Sequence, residues 1–323
     1  MSDKILTRRH DFLLLFEVTN GNPNGDPDAG NMPRLDPNTS RGIVSDVCLK
    51  RKVRNFVELF PPQRESDTAN GFNILIQQGA VIETQQKKAI EAAKDKDQGL
   101  TGDSDAERAK NWLCREFFDV RAFGGVLSTG SDVMKGSAFG QVRGPVQFTF
   151  GQSFHAITPL EITITRCAVT KEEEAKKERT MGNKHIVPYA LYAAKGYVSP
   201  AFAERTGFTY ADLDLLFEAL LQMFEHDRSA ARGEMIVRGL YDFEHVGTQH
   251  VNNAVQNDRE ARLGCYHAHK LFEGIQVNLR DGRAFPESFA DYSVNCAWTE
   301  QNLPPGIQLN LRHEGASLGP RPA

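Results

Sequence analysis

The stretch DFLLLFEVT, residues 11–19, alternates with a period of two. Successive side chains of a β-strand point to opposite sides, so the even-numbered residues from Phe12 to Val18 form one apolar face. The opposite face starts with leucines and ends with Glu17 and Thr19. The sequence therefore predicts a strand here.

A long loop and a helix follow this strand. The segment NGNPNGDPDAGNMPRLDPNTSRG, residues 20–42, is dense in turn-forming residues, and loops of this length are often functional. From Ser45, which can act as an N-cap, apolar residues recur at three- and four-residue spacing as far as Phe60. Pro61 and Pro62 then end the pattern, which predicts a helix over about 45–60.

This helix carries a cluster of cations in an otherwise acidic chain. The net charge is −4, yet residues 41–54 hold five positive charges and one negative. Lys50 and Arg54 lie one turn apart on the same flank, and Arg51 lies opposite the apolar stripe. We expect two or three of these cations to project from the exposed side. They can form an ordinary solvated face, or they can bind phosphates of a nucleic acid.

The rest of the chain predicts a mixed α+β fold. The residues before Gly124 and Gly125 are interpreted as a strand, and the region 259–273 as a helix. Helices are predicted at about 83–94, 106–118 and 209–226, and strands at about 146–169, 189–197, 233–246 and 289–297. Without insertions the order is βαββαβ, that of ferredoxin-like and RNA-recognition-motif folds.

Composition excludes several classes of protein. No apolar run approaches the length that spans a membrane, and the short FLLLF run near the N-terminus lacks a cleavage site, so neither a membrane span nor a signal peptide is expected. The five cysteines are scattered and form no CxxC pair, which favours reduced thiols in the cytoplasm.

Motifs for catalysis or metal binding are weak. The loop after the first strand fits a calcium loop at several positions, but Asn31 stands where a bidentate Glu is needed. Cys265, His267 and His269 would splay apart on a helix, so ordinary surface histidines are favoured over a zinc site. The sequence contains neither a GxSxG motif nor a Walker loop.

Four segments together resemble one protein family. They are FEVTNGNPNGDP, PRLDPNTSRGIVSDVCLKRKVRNFV, DVRAFGG and GPVQFTFGQS, and they begin at residues 16, 33, 119 and 144. In this order they are similar to the backbone subunit of the type I-C CRISPR Cascade complex, a member of the RAMP superfamily. The resemblance implies a single RAMP-type domain over 1–323. Its modified ferredoxin-like palm would cover about 10–60 and 146–310, with a helical insertion, the fingers, at about 61–120 and a protruding β-hairpin, the thumb, at about 166–188.

The resemblance also implies a function without catalysis. Several copies would polymerise along one CRISPR RNA, hold its phosphate backbone without sequence preference and present the spacer to target DNA in antiviral defence. The implied partners are CRISPR RNA, the target DNA strand through the guide, further copies of the chain, the large subunit, the guide-processing RAMP subunit and a recruited helicase-nuclease. No cofactor, metal or membrane is expected, and the location is cytoplasmic.

The resemblance nominates RNA-binding residues in five places. The loop after the first strand contributes Asn22, Arg34 and Arg41, and the basic helix contributes Ser45, Lys50, Arg51 and Arg54. The glycine loop contributes Arg121, Phe123, Gly124, Gly125 and Val126, with Phe123 also a candidate for the core. The next strand contributes Gln147, Gln152, Ser153 and His155. The thumb contributes Met181, Lys184 and His185, of which Met181 could act as an apolar wedge between bases.

Two alternatives remain open. Related subunits of type III complexes cut target RNA with an Asp in the loop after the first strand, and here Asp26, Asp28 and Asp36 lie in that loop. Metal-dependent cuts at regular spacing, lost in Asp→Ala variants, would indicate this enzyme. The second alternative is a stand-alone RNA-binding module, which would not grow in mass with RNA length.

Overall fold

The structure is a computed structural model that describes residues 4–66, 69–95, 98–127, 140–165, 168, 181–249, 253–280 and 285–314. The strands are β1 (His10–Gly21), β2 (Gly25–Asp26), β3 (Met32–Pro33), β4 (Arg41–Val44), β5 (Gly124–Val126), β6 (Gln141–Arg143), β7 (Val146–Phe148), β8 (Gly151–Ala156), β9 (Leu160–Thr165), β10 (Met181–Val198), β11 (Glu234–His245), β12 (Ile275–Leu279), β13 (Tyr292–Cys296) and β14 (Ile307–Glu314). The helices are α1 (Asp46–Leu59), α2 (Ile82–Lys94), α3 (Asp105–Glu116), α4 (Phe118–Phe123), α5 (Pro200–Thr206), α6 (Tyr210–Gln222), α7 (Ala254–Leu263) and α8 (Ala268–Glu273).

A large antiparallel sheet organises the chain. Its strand order is β14-β11-β1-β10-β8-β4, and β7 and β9 also pair with β10. The predicted first strand is β1, and it pairs along nearly its whole length with β10 on one side and β11 on the other. The predicted order of elements is found as β1, α1, β8, β10, α6 and β11, so the fold is α+β with a large antiparallel sheet.

Both faces of β1 are covered. The even-numbered face, with Phe12 and Phe16, belongs to the main core, which also takes in buried residues of α1 and α6. Leu13 and Leu15 on the other face pack with β11, α8 and β12, including Phe272. Because apolar side chains leave water on both sides, β1 is the most deeply buried element of the sheet.

The two helices on the even-numbered face start where the sequence predicts. Ser45 caps α1, and its side chain accepts a hydrogen bond from the N–H of Cys48. Thr209 caps α6: its hydroxyl accepts a hydrogen bond from the N–H of Asp212, and the carboxylate of Asp212 accepts one from the N–H of Thr209, which makes a capping box. Both helix predictions are confirmed.

Three predicted elements differ from the structure. The residues before Gly124 form α4 rather than a strand, and because its residues are buried all round, periodicity cannot distinguish the two. The region 259–273 contains the end of α7 and all of α8, interrupted at Gly264, whose φ of +111° favours glycine. The strand predicted at 189–197 is longer and begins at Met181.

Two parts extend from the sheet. Helices α2 and α3, which lie between α1 and β7 in the sequence, pack on each other. Their shared small core consists mainly of alanines and leucines. Strand β9 pairs with the first six residues of β10, from Leu160 opposite Ile186 to Thr165 opposite Met181. The side chains of β9 are all exposed. Most of the segment predicted as the thumb, including 169–180, lies outside the described residues.

In the described part of the chain, no helix combines the length and apolar character needed to cross a lipid bilayer.

Candidate nucleic-acid interface

The start of α1 is fastened to the loop after β1. The side-chain oxygen of Asn24 accepts hydrogen bonds from both the N–H and the hydroxyl of Ser45, each at 2.9 Å. One turn into the helix, the thiol of Cys48 donates to the carbonyl of Pro23 at 3.4 Å. The predicted residue Ser45 therefore orders this loop as well as the helix. Asn24 was missed, although its place in an Asn-Pro-Asn-Gly turn was visible in the sequence.

Both lysines of α1 have carboxylate partners. Lys50 pairs with Asp46 one turn earlier, at 2.9 Å, and its side chain is only 14% exposed. Lys52 is buried and pairs with Asp227, which Arg232 also contacts at 2.8 Å. The local excess of positive charge that the sequence indicates is thus largely balanced by acidic residues.

Arg51 and Arg54 anchor the segment around Leu75 and Ile76 against α1. The Nε of Arg54 donates to Asp119 at 2.8 Å, and Asp119 also accepts the N–H groups of Leu75 and Ile76. The Nη1 of Arg51 donates to the carbonyl of Ile76 at 2.8 Å. The expectation that two or three cations project from the exposed side is wrong for Lys50 and Arg54, whose side chains are 14% and 11% exposed. Within the described residues, no hydrogen bond uses Nη2 of either arginine.

The glycine turn lies beside this basic flank. Lys50 Nζ and Arg54 Cζ stand 5.9 and 5.2 Å from the centre of the Phe123 ring, which is buried. Gly124 has φ +75°, and a Cβ there would lie 2.1 Å from the carbonyl oxygen of Val142. A Cβ on Gly125 would meet nothing within 4 Å. Predicted residues of the helix and of the turn are therefore brought together, and the turn leaves its backbone approachable. Val126, the next residue, is exposed.

Arg121 does not belong to this surface. Its guanidinium is fully buried and forms a bidentate pair with Asp212, at 2.6 and 2.9 Å. Its remaining donors bind the carbonyls of Cys114, Arg115 and Gly71. All five N–H groups of the arginine are thus used inside the protein, and none is left for a phosphate. This corrects the prediction that Arg121 contacts RNA.

The edge of the sheet places another group of predicted residues together. The N–H of Gly42 donates to the hydroxyl of Ser153 at 2.9 Å, and that hydroxyl donates to the carbonyl of His155. Ser153 is buried, so its predicted contact with RNA is corrected to a link between β4 and β8. Burial, with a further contribution from nearby Arg41, lowers the pKa of His155. The Nδ1 of His155 lies 3.2 Å from the hydroxyl of Tyr292.

Two predicted glutamines lie on neighbouring strands. Gln152 is exposed on β8, while Gln147 on β7 donates to the carbonyl of Gly144 at 3.2 Å.

The loop after β1 and the base of the hairpin meet at one turn. The N–H of Asn22 donates to the carbonyl of Ala231 at 2.6 Å, and Lys184 donates to the carbonyl of Ala230 at 3.0 Å. Met181 at the far end of the described hairpin is 69% exposed. His185 lies opposite Glu161 on β9. The structure thus connects Asn22 and Lys184, which the sequence could not.

Two buried polar atoms in this region lack partners. Within the described residues, neither Oδ1 of Asn22 nor Nε of Arg34 has a hydrogen bond. Arg34 does pair through Nη1 with Asp26, at 3.4 Å. An unpartnered buried acceptor or donor costs free energy, so these atoms are suited to a ligand that approaches the loop.

The aspartates of the same loop stabilise turns. Asp26 accepts the N–H of Asp28 at 3.2 Å, and Asp36 accepts the N–H of Asn38 at 2.9 Å. The hydrogen bond from Asn38 is the main cause that lowers the pKa of Asp36. Over the described ranges, no three Asp, Glu, His or Cys residues are grouped as a metal site.

Comparison with known proteins adds a family match. A family model described as CRISPR-associated protein Cas7 matches residues 8–297. A protein of Haloferax volcanii named CRISPR-associated protein Cas7 is 28% identical over 224 residues, which cover 64% of this chain. The match spans 62% of that relative's length.

Solved structures also match. Two chains of CRISPR RNA-guided surveillance complexes, one of them pre-nicking, align with TM-scores of 0.42 and 0.45, the higher for the pre-nicking complex. Both are 15% identical to this chain and cover 73% of it, and the alignments cover 69% and 78% of those chains.

Proposed function

The chain belongs to the Cas7 family of CRISPR-associated proteins, and from that premise we propose that it is a non-catalytic backbone subunit of a type I-C Cascade complex. Several copies polymerise along one CRISPR RNA and present its spacer to target DNA in antiviral defence. Each copy contacts phosphates and sugars rather than base edges, because such contacts position a strand without reading its sequence.

The observation that carries this proposal is the meeting of α1 with the glycine turn. Lys50 and Arg54 flank Phe123, and Gly125 next to it leaves backbone open to a close approach. The N–H of Gly124 already donates to the carbonyl of Val120, so the open backbone at Gly125 and the adjacent cations are the groups that suit a phosphate oxygen. Arg51 and Arg54 each hold the protein through one nitrogen and retain Nη2 for a ligand. The guide surface therefore consists of Lys50, Arg51, Arg54, Gly124 and Gly125.

Other predicted residues complete the guide surface at its margins. Arg41 and Gln152 are exposed at the sheet edge, and Asn22 and Arg34 have unpartnered polar atoms in the adjoining loop. Met181, Lys184 and His185 approach the guide from the hairpin. Arg121 and Ser153 are left out because their polar atoms serve the fold.

The domain organisation follows the same proposal. The large sheet with α1 and α6 is the palm of a single RAMP-type domain, α2 and α3 belong to the inserted fingers, and the β9–β10 hairpin is the base of the thumb. Head-to-tail stacking uses two different surfaces of each copy, which gives an open filament. Weak individual contacts suffice because one RNA links many copies. The large subunit, the guide-processing subunit and the helicase-nuclease would join this filament.

The test is to co-express the full chain with its sister subunits and CRISPR RNAs of two spacer lengths. Native mass spectrometry should give more copies of the chain on the longer RNA. RNA sequencing should recover the same yield for unrelated spacers of equal length. A mass that ignores RNA length would contradict the filament and favour the stand-alone module, and preparations free of RNA would overturn the proposal.

A further inference from the structure

A second cationic surface lies away from the contacts of α1. A cavity of about 750 Å³ opens between α3, the preceding loop, β6 and the C-terminal end of α5. Its lining contains four cationic side chains and two carboxylates. They are Lys110, Arg115, Arg143, Arg205, Glu107 and Glu204. We call this cavity the β6–α5 basin.

Two of these charged side chains, Arg115 and Glu204, already form ion pairs within the protein. Arg115 pairs with Glu116 at 3.0 Å and donates to both the carbonyl and the side chain of Gln98. Glu204 pairs with Arg262. Thus one of the two carboxylates is already neutralised, and the basin keeps a positive balance.

Arg143 and Arg205 differ from the arginines of α1. Both are exposed, and within the described residues neither has an ion pair or a hydrogen bond through its side chain. Their guanidinium carbons lie 4.5 and 5.7 Å from the centre of the half-buried Phe202 ring. Contact with the ring restricts the guanidinium groups and does not use up their N–H donors.

We propose that the β6–α5 basin binds a phosphate group of a single-stranded nucleic acid other than the strand held by α1. Guanidinium groups bind phosphate oxygens in pairs of hydrogen bonds. At this site the guanidinium groups of Arg143 and Arg205 both have donors available for such bonds. The planes of the two guanidinium groups also offer surfaces for base stacking, which tolerates any sequence. The volume of the basin is that of a site for a ligand of nucleotide size.

The basin and the guide surface are joined by one short ribbon. In the β5–β6 pair, Gly124 lies opposite Arg143 and Gly125 opposite Val142. Gly124 follows Phe123, which Lys50 and Arg54 flank, while Arg143 contacts Phe202. The two surfaces therefore have separate cations and separate aromatic rings, so a variant of one leaves the contacts of the other in place.

The test compares two double variants of the full chain assembled with its guide RNA. Arg143→Gln with Arg205→Gln changes the basin. Lys88→Gln with Arg259→Gln removes the same charge from exposed cations of α2 and α7 that have no ion pair among the described residues. The probe is a fluorescein-labelled oligothymidine that does not match the guide, titrated over a range of salt concentrations.

The basin variant should bind the probe about tenfold more weakly at low salt, as expected for lost charge-assisted hydrogen bonds. The slope of log affinity against log salt should also fall by about 0.7 for each lost phosphate contact. The matched control should keep the wild-type slope. Equal affinity and equal slope for all three proteins, with thermal unfolding and guide content unchanged, would overturn the proposal.

Competition identifies the source of the phosphate. The unlabelled oligothymidine should displace the probe far below the concentration of AMP or inorganic phosphate that does so. Equal potency of AMP would make the basin a small-molecule site and overturn the assignment to a strand. Loss of self-association without loss of probe binding would overturn it in favour of an interface between copies. If no guide complex forms, the same titrations on the free chain still decide the basin, independently of the guide proposal.

Discussion

Arginines of α1 and α4 have the same formal charge but opposite surroundings. Arg51 on α1 holds one carbonyl and keeps further donors at the surface, whereas Arg121 on α4 spends every donor on buried partners. Arg121 joins the end of α3 and the residue Gly71 to Asp212 in the first turn of α6. A cation in the sequence therefore predicts nucleic-acid binding only when its hydrogen-bond donors remain unspent.

The largest effect is expected when the guanidinium of Arg121 is removed. Arg121→Met keeps most of the volume but leaves Asp212 buried without its charged partner. The free energy of unfolding should fall by about 3–5 kcal/mol, the usual cost of breaking a buried ion pair from one side. Urea denaturation of the full chain followed by circular dichroism measures this.

An exposed ion pair provides the control for Arg121. Lys87 and Glu83 pair one turn apart on α2, and both side chains are about half exposed or more. Lys87→Ala should change the free energy of unfolding by less than about 1 kcal/mol, because water screens such pairs. Similar losses of unfolding free energy for Arg121→Met and Lys87→Ala would show that the buried pair of Arg121 and Asp212 does not stabilise the fold more than an exposed pair does.

The hydroxyl of Tyr192 is a buried polar group of the opposite kind. Tyr192 Oη is buried and, among the described residues, has no hydrogen-bond partner, unlike the fully satisfied Arg121. A Cβ on Gly42 would lie 2.3 Å from this oxygen. Gly42→Ala should therefore lower the free energy of unfolding by about 1–3 kcal/mol through overpacking, as thermal or urea unfolding can measure.

A double-mutant cycle attributes that loss to the contact with Tyr192. Tyr192→Phe alone should be neutral or stabilising, since it removes a buried polar group that has no partner. Combined with Gly42→Ala, it should recover part of the lost free energy, because the oxygen that blocks the new methyl group is gone. Strict additivity of the two changes would indicate that the cost of Gly42→Ala arises elsewhere in β4.

Much of the fold could be predicted because its signals are local. The alternation in β1, the Ser45 and Thr209 caps and the apolar stripes of α1 and α6 each lie within one element. Helix α4 could not be recognised because burial on all sides removes its periodicity. The length of β10 was underestimated because its first residues pair with β9 outside the main core.

The candidate site was predictable in position but not in partners. Residue types and spacing drew attention to Lys50 and Arg54, yet Asp119, which balances Arg54, is 65 residues away. The cations of the β6–α5 basin stand alone in the sequence, with nothing nearby that marks them. Their common contact with Phe202 arises only from folding.

A smaller effect is expected from Arg51, which tests the exposed side of the comparison. Arg51→Gln should weaken guide RNA binding equally for unrelated spacers and reduce the salt slope by about 0.7. The free energy of unfolding should change by less than about 0.5 kcal/mol, since Arg51 gives up one bond to a carbonyl at the surface. Fluorescence titrations at several salt concentrations measure the RNA affinity and its salt slope, and Lys88→Gln is the control.

Arg54→Gln separates charge from folding on the same helix. It should also weaken RNA binding, but unlike Arg51→Gln it should lower the free energy of unfolding, because Asp119 is buried and loses its ion pair. Equal salt slopes for wild type, Arg51→Gln and Arg54→Gln would contradict the role of α1 in phosphate binding.

The smallest effect is expected from Arg41, whose side chain has no ion pair within the described residues. Its unneutralised charge acts on the pKa of its neighbour His155. Burial first, and then the charge of Arg41, lowers the pKa of His155 from its ordinary value of 6.5. The unfolded chain then binds the proton more readily, so this stabilising contribution is complete above about pH 6.5 and is lost as the pH falls below it. In an NMR titration, Arg41→Gln should move the pKa of His155 upward but not fully to 6.5, because burial remains. Arg259→Gln should leave the pKa unchanged, and a wild-type pKa at or above 6.5 would refute the arrangement of Arg41 and His155 at this edge.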